Sequence, residues 1–158
     1  MRYLLVLLLS LKLFATSYEF DEYKFVSAAN TTFKQSGTIS FEQNKTIITY
    51  AKPKYKEIVN DGTNITIKGS SGKVYKLKGK GLFYTKLFID VMSKLGDFTK
   101  LKDNRDFTID KKQTPYVVEF KGDLQDQVLK AEVVVESSKV KSFKLFMKNG
   151  DTIEIVKR

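Results

Sequence analysis

What most limits the folds open to this chain is a rapid succession of apolar/polar alternations separated by turn residues. "GTISFE" sets Ile39 and Phe41 on one face, with Thr38 and Ser40 opposite. "TIITYA" follows a turn at Gln43-Asn44-Lys45, and Pro53 breaks the chain before "YKEIVN". Asp61-Gly62 is a two-residue hairpin signal. "NITIKG" then alternates Ile65 and Ile67, and Ser70-Ser71-Gly72 turns the chain into "KVYKLK". Five strands in about 45 residues, each joined by a short turn, predict an antiparallel meander.

The same pattern continues on either side. "EYKFVSA" reads as a first strand rather than a fragment of helix. Further on, "DFTIDKK", "PYVVEFK" (with Pro115 at its edge), "EVVVES", "VKSFKLFMK" and "DTIEIVK" are strands, and "DLQDQVLK" holds a single helical turn. Asn149-Gly150 joins the last two strands, and this dipeptide is among the strongest hairpin signals. The expected total is nine to ten strands. No internal repeat, low-complexity run or long linker interrupts the 158 residues, which predicts one domain over 18–158.

One stretch departs from the two-residue period. In "KGLFYTKLFIDVMSKLGD", residues 80–97, Phe83, Leu87, Val91 and Leu95 recur every four residues, with Phe88 and Met92 beside them. Thr85, Lys86, Ser93 and Lys94 occupy the other side, and Gly96 suits the position just past a helix end. This is an amphipathic helix with a wide apolar face. Burying six such side chains stabilises by about 1.5–3 kcal/mol each, so the face must be covered. Two arrangements do so. The helix packs flat on a sheet as an α+β core, or it lies over a curved sheet as the lid of an apolar cavity.

The first residues, "MRYLLVLLLSLKLFATSYEF", have the layout of a secretory signal peptide spanning 1–17. Arg2 is the positive start, Leu4 to Leu11 is the apolar run, and Ala15-Thr16-Ser17 places small residues at a cut after Ser17. The run is shorter than the roughly 20 residues of a membrane span. No cysteine follows the cut, so no lipid is attached there. The predicted location is therefore the periplasm.

Composition then narrows the chemistry. The chain has no Cys and no His, which removes disulfides, thiolate chemistry and the commonest general base and metal ligand. No catalytic residue, metal site or cofactor is predicted, and the chain does not read as an enzyme. The formal charge is +10, of which Arg2 and Lys12 lie in the leader, leaving +8. Such a surface favours anionic lipid or an acidic partner. Arg105 and Arg158 are the only arginines after the leader, and base readout leans on arginine, so nucleic acid is not an expected partner.

Three short motifs have ordinary readings. "GSSGK", residues 69–73, would need Gly at Ile67 and Ser or Thr at Val74 to be a Walker A loop, so it is a hairpin turn. "GKG", Gly79 to Gly81, opens the helix. "DNRDFTID", with Asp103, Asp106 and Asp110, lacks calcium-loop spacing and its glycine.

The segment "SGTISFEQNKTIITYAKPKYKEIVNDGTNITI" resembles the opening of the LolA-like periplasmic outer-membrane lipoprotein carriers. The matching elements are Ser36-Gly37 before a strand, an aromatic at Tyr50, Pro53, and Asp61-Gly62 before a strand. "LGDFTKLKDNRDFTI", "VVEF" and "FKLFMKNGDTIEI" resemble the rest of that superfamily, closest to a divergent branch, over about residues 23–157. The carriers' helix before the first strand and their arginine before the aromatic have no counterpart here; Phe41 to Lys45 contains no arginine.

The resemblance implies a mainly β (α+β) fold, a strongly curved antiparallel sheet or unclosed β-barrel with a helical lid over its concave face. It implies a monomeric periplasmic carrier that binds the acyl chains of lipoproteins or other lipids in an apolar cavity. The cargo passes from an inner-membrane donor complex to an outer-membrane acceptor. On this reading Ile39, Phe41, Ile65, Ile67, Phe83, Leu87, Phe88, Val91, Met92 and Phe120 line the cavity, and Leu87→Glu abolishes acyl-chain binding. The competing expectation is a periplasmic protein-binding β module without a lipid cavity, pairing through exposed strand edges.

Overall fold

A computed structural model describes residues 16–42, 44–79, 81–82, 85–86, 88–89, 103, 107–137 and 139–158. The alternating segments form eleven strands: β1 (Thr16–Val26), β2 (Thr31–Glu42), β3 (Lys45–Lys52), β4 (Lys56–Asn60), β5 (Ile65–Gly69) and β6 (Val74–Lys76), then β7 (Phe107–Asp110), β8 (Tyr116–Phe120), β9 (Val128–Glu136), β10 (Lys139–Met147) and β11 (Thr152–Lys157). This exceeds the expected nine to ten. The stretch around "EYKFVSA" is a full strand, and β2 starts well before Gly37.

All eleven belong to one antiparallel sheet in the order β6-β5-β4-β3-β2-β1-β11-β10-β9-β8-β7. Two meanders therefore meet where β1 pairs with β11. The chain's last residue reinforces that seam. Arg158 donates its backbone N–H to the Glu19 carbonyl at 2.9 Å, and its guanidinium lies 3.6 Å from both Glu19 and Asp21. Among the described residues the sheet does not close: β6 and β7, the strands on either side of residues 77–106, are its two opposite edges.

The turns follow local chemistry. Between β1 and β2, Ser27–Ala29 form a 3-10 turn, and Asn30 ends it in the left-handed region at φ 44°, a conformation asparagine enters more readily than most residues. The Asp61-Gly62 turn is not a two-residue hairpin. It runs from Asp61 to Asn64, because Asp61 Oδ1 accepts the N–H groups of Thr63 and Asn64, and Asn60 Oδ1 accepts that of Gly62. Side-chain acceptors of this kind hold a longer turn together. Gly62 and Gly150 both sit at φ 87°, which favours glycine. A 3-10 helix at Gly122–Asp126 takes in the start of "DLQDQVLK", whose last three residues instead begin β9.

Register decides which side chains share a face. Ile67, Ile58, Ile48, Ile39 and Tyr18 are successive cross-strand partners from β5 to β1. Glu22, Ile155, Phe143, Val133 and Tyr116 continue the same face from β1 to β8. At the far edge Phe107 pairs with Phe120, their rings edge to face at 6.4 Å. This face carries the buried core, while Thr38, Glu57, Lys68 and Lys130 stand on the other. Of the predicted helix, residues 81–82, 85–86 and 88–89 have helical backbone, as does Gly79 just before it. Ile89 is buried in the core, with Leu77, Leu82 and Phe88 packed against it. Phe83, Leu87, Val91 and Met92 lie outside the described residues. Among the described residues no helix is long and apolar enough to cross a membrane.

Candidate functional site: the apolar face of the sheet

Six of the ten predicted cavity residues are described, and the structure brings all six onto one apolar cluster. Ile39, Ile65 and Phe120 are buried within it, and Phe41, Ile67 and Phe88 are half-buried against it. The alternation that predicted them extends beyond these residues. Phe20, Ile48, Ile58, Phe143, Leu145 and Ile155 occupy the same face at neighbouring register positions. Ile89 of the helical stretch packs into the same cluster.

A glycine makes room for one of the two phenylalanines among these. Phe20 of β1 stands directly opposite Gly37 of β2, and Gly37 opposite Tyr50 of β3. A Cβ on Gly37 would lie 2.8 Å from both the Phe20 ring and the Thr49 carbonyl oxygen. The ring therefore lies over bare backbone and meets Tyr50 edge to face at 5.6 Å. A register shift between Ser36 and Gly37 sits at this point, and bulges next to strand glycines bend a sheet.

One polar station interrupts the apolar face. Glu22 is 7 % exposed, the only buried charged side chain among the described residues. Its Oε2 accepts the Tyr50 hydroxyl at 2.6 Å, and its Oε1 accepts the Gln35 amide at 2.6 Å. Lys56, opposite Tyr50 in register, holds its ammonium 4.1 Å from the centre of the Tyr50 ring. No buried side-chain nitrogen or oxygen among the described residues lacks a hydrogen-bond partner.

The electrostatics follow from this packing. Burial pushes the Tyr50 phenol well above its ordinary range, and the Glu22 charge and hydrogen bond push it further. Burial alone raises Tyr18. Burial lowers Lys56; Glu22 opposes that shift, and Lys24 adds to it. The station is thus a carboxylate held by two neutral donors beside a partly desolvated ammonium. It contains no thiol or imidazole, and no group of acidic residues that could hold a metal occurs among the described residues.

Sequence reasoning missed this station. The signal was present: in "YEFDEYKF" the frame Tyr18, Phe20, Glu22 puts a carboxylate at the third inward position of an apolar alternation. A polar residue in that frame must find buried partners.

In comparisons with known proteins, the chain matches no family model and no curated protein.

Proposed function

We propose that the protein is a periplasmic carrier that shelters acyl chains, of lipoproteins or of other lipids, against the apolar face of its sheet. The observation that carries this reading is topological. The sheet's two unpaired edges, β6 and β7, are consecutive in the chain, and residues 77–106 connect them. Leu77, Leu82, Phe88 and Ile89 of that connection lie on the apolar core.

Dimensions give the shape that follows. Eleven strands laid flat would span about 48 Å, at 4.8 Å per gap. A helix about 10 Å across covers only two or three of them. Yet buried side chains run across β1–β5 and β7–β11. Most of the cover must come from the sheet wrapping round on itself, as very wide sheets do. The result is an unclosed barrel, with Leu77, Leu82, Phe88 and Ile89 of the connection as part of its cover. An acyl chain between the two is a substitute for the membrane interior. Each CH₂ kept from water is worth about 0.8 kcal/mol, so a sixteen-carbon chain gains on the order of 12 kcal/mol. Burial of this kind is non-directional and selects chain length and volume over head group. The leader in residues 1–17 supplies export, and β1 keeps its buried positions from Tyr18 onward after a cut at Ser17.

The test is mass spectrometry of an organic extract of the purified protein, followed by titration with a fluorescent fatty acid. The expected result is co-purifying lipid and saturable binding that Ile89→Glu weakens at least tenfold while the far-ultraviolet spectrum stays β. A protein that carries no lipid and binds no fatty acid sinks the proposal. A stoichiometric protein partner without lipid would favour the β-module alternative.

A further inference from the structure

Charge is not spread evenly along this chain. Between Asp61 and Asp90 there is no acidic residue, while Lys68, Lys73, Lys76, Lys78, Lys80 and Lys86 all fall there. The structure gathers the middle of this run onto one sheet edge. Lys73, Lys76 and Lys78 flank or belong to β6, and all three are exposed. Among the described residues none of the three is in an ion pair. The one carboxylate in register with the hairpin is Glu57, opposite Lys68 and away from the edge.

Two large apolar side chains stand at this edge, one on each face: Tyr75 pairs with Ile67 on the core side and Val74 with Lys68 on the other, so a surface met edge-on touches both. Val74 is 62 % exposed and Tyr75 58 %, the most exposed large hydrophobic residues described apart from Leu129. Leu77 then anchors the end of the edge, donating its N–H to the Ile65 carbonyl at 2.9 Å while its side chain packs on the core.

We infer that the β6 edge, with Lys73, Lys76 and Lys78 around Val74 and Tyr75, is a docking surface for an anionic lipid bilayer. Lysine ammonium groups on flexible stems suit a fluid layer of negative headgroups. Tyrosine, with an apolar ring and a polar tip, suits the headgroup–acyl boundary. The other polyanions fit less well. Specific protein interfaces concentrate Arg and Trp, and this surface has neither. Three residues of β6 give too short an edge for an added strand to rely on backbone pairing. This inference goes beyond the carrier reading and does not depend on it, because a basic, apolar-tipped edge binds headgroups whether or not the interior takes an acyl chain.

The test is cosedimentation of the protein, in the form the expressing cell delivers, with phosphatidylglycerol-containing vesicles and with pure phosphatidylcholine vesicles. Binding is expected to the anionic vesicles only, and to disappear in high salt. The triple variant K73Q/K76Q/K78Q is expected to bind roughly a hundredfold more weakly, a few-fold per lysine. The triple K112Q/K139Q/K148Q, which removes exposed lysines elsewhere, should bind like the parent. The chain has no cysteine, so a polarity-sensitive dye on Y75C reports one site. Its emission should shift to the blue on anionic vesicles, and the same dye on K112C should not respond. Equal losses in the two triples, or no blue shift at position 75, would overturn the inference. So would vesicle binding that survives K73Q/K76Q/K78Q while capture of an acidic protein is lost. Acyl-chain binding by the interior is measured separately, so either proposal can fail without the other.

Discussion

The Glu22–Tyr50 contact allows a sharp test of how the interior is held. In Tyr50→Phe the ring, its edge contact with Phe20 and its place beneath Lys56 all persist, and only the hydroxyl is lost. Glu22 then keeps the Gln35 amide but loses its 2.6 Å bond from Tyr50, in a site where Glu22 is 7 % and Tyr50 2 % exposed. A hydrogen bond to a buried charged group contributes about 1.5–3 kcal/mol, so the variant should be less stable by about 2 kcal/mol in urea unfolding followed by far-ultraviolet circular dichroism. Glu22→Met leaves the Tyr50 hydroxyl without its acceptor and should cost a similar amount. The double variant removes both polar ends, and should be less destabilised than the sum of the singles by at least about 1 kcal/mol. Alkali supplies a second reading. The folded Tyr50 phenol ionises far above its ordinary value of 10.0. Its stability contribution is therefore complete below that value and is lost as pH rises toward the folded value, because only the unfolded state then releases the proton. The gap between parent and Tyr50→Phe should narrow by about 1.4 kcal/mol per pH unit above roughly pH 10. Tyr18 is common to both proteins and cancels. If Tyr50→Phe lies within about 0.5 kcal/mol of the parent, or the two singles simply add, Glu22 is not held as described.

Two further substitutions test the packing and the turns. Gly37→Ala drives a methyl group to 2.8 Å from the Phe20 ring and the Thr49 carbonyl, and should cost about 2 kcal/mol or more in urea unfolding. Adding Phe20→Leu should recover only part of the loss, since the carbonyl stays in place, and full recovery would refute the backbone clash. At the β4–β5 turn, the N–H groups of Asn64 and then Thr63 hold the Asp61 carboxyl below its usual range. The stability it supplies is present above its unfolded pKa and fades as pH falls through the folded one, so Asp61→Ala should flatten the acid limb of the pH–stability curve; an unchanged limb would refute this.

The strands, their antiparallel order within each meander and the membership of the apolar face were legible because a period of two ties every inward residue to its neighbours two places away. Once Ile39 and Ile67 are placed inward, Ile48 and Ile58 follow by pairing. Three things were not legible, each for a physical reason. The union of the meanders through β1 and β11 joins the ends of the chain, and no local pattern encodes a contact of that sequence separation. The inward frame of Glu22 could be read from Tyr18 and Phe20, but not its partners, which depend on a register shift at Ser36/Gly37; a shift of one residue changes which side chains meet. The length of the Asp61–Asn64 turn depends on side-chain acceptors binding backbone N–H groups, which outcompeted the tighter turn that Asp-Gly favours.

An unclosed sheet leaves two edges that invite unwanted pairing, and both are blunted here: β6 is three residues beside Lys73 and Lys78, and β7 is four residues followed by Lys111 and Lys112. Keeping the edges open rather than pairing them has a consequence for the proposed carrier. In a closed barrel, admitting a chain-like guest would require breaking a ladder of backbone hydrogen bonds, each costly to leave unmade away from water. Here β6 and β7 share no ladder, and beyond the Leu77 N–H bond to Ile65 the described residues of the connection that meet the core, Leu82, Phe88 and Ile89, do so through side chains. Displacing those side chains exposes apolar surface, and an incoming acyl chain covers it again with contacts of the same non-directional kind. In the proposed carrier that exchange would trade like contacts for like, which favours reversible uptake and release. The polar station does not disturb that balance. Glu22, Tyr50 and Gln35 satisfy one another across β1–β3, so a guest on the neighbouring apolar face has no buried charge to neutralise.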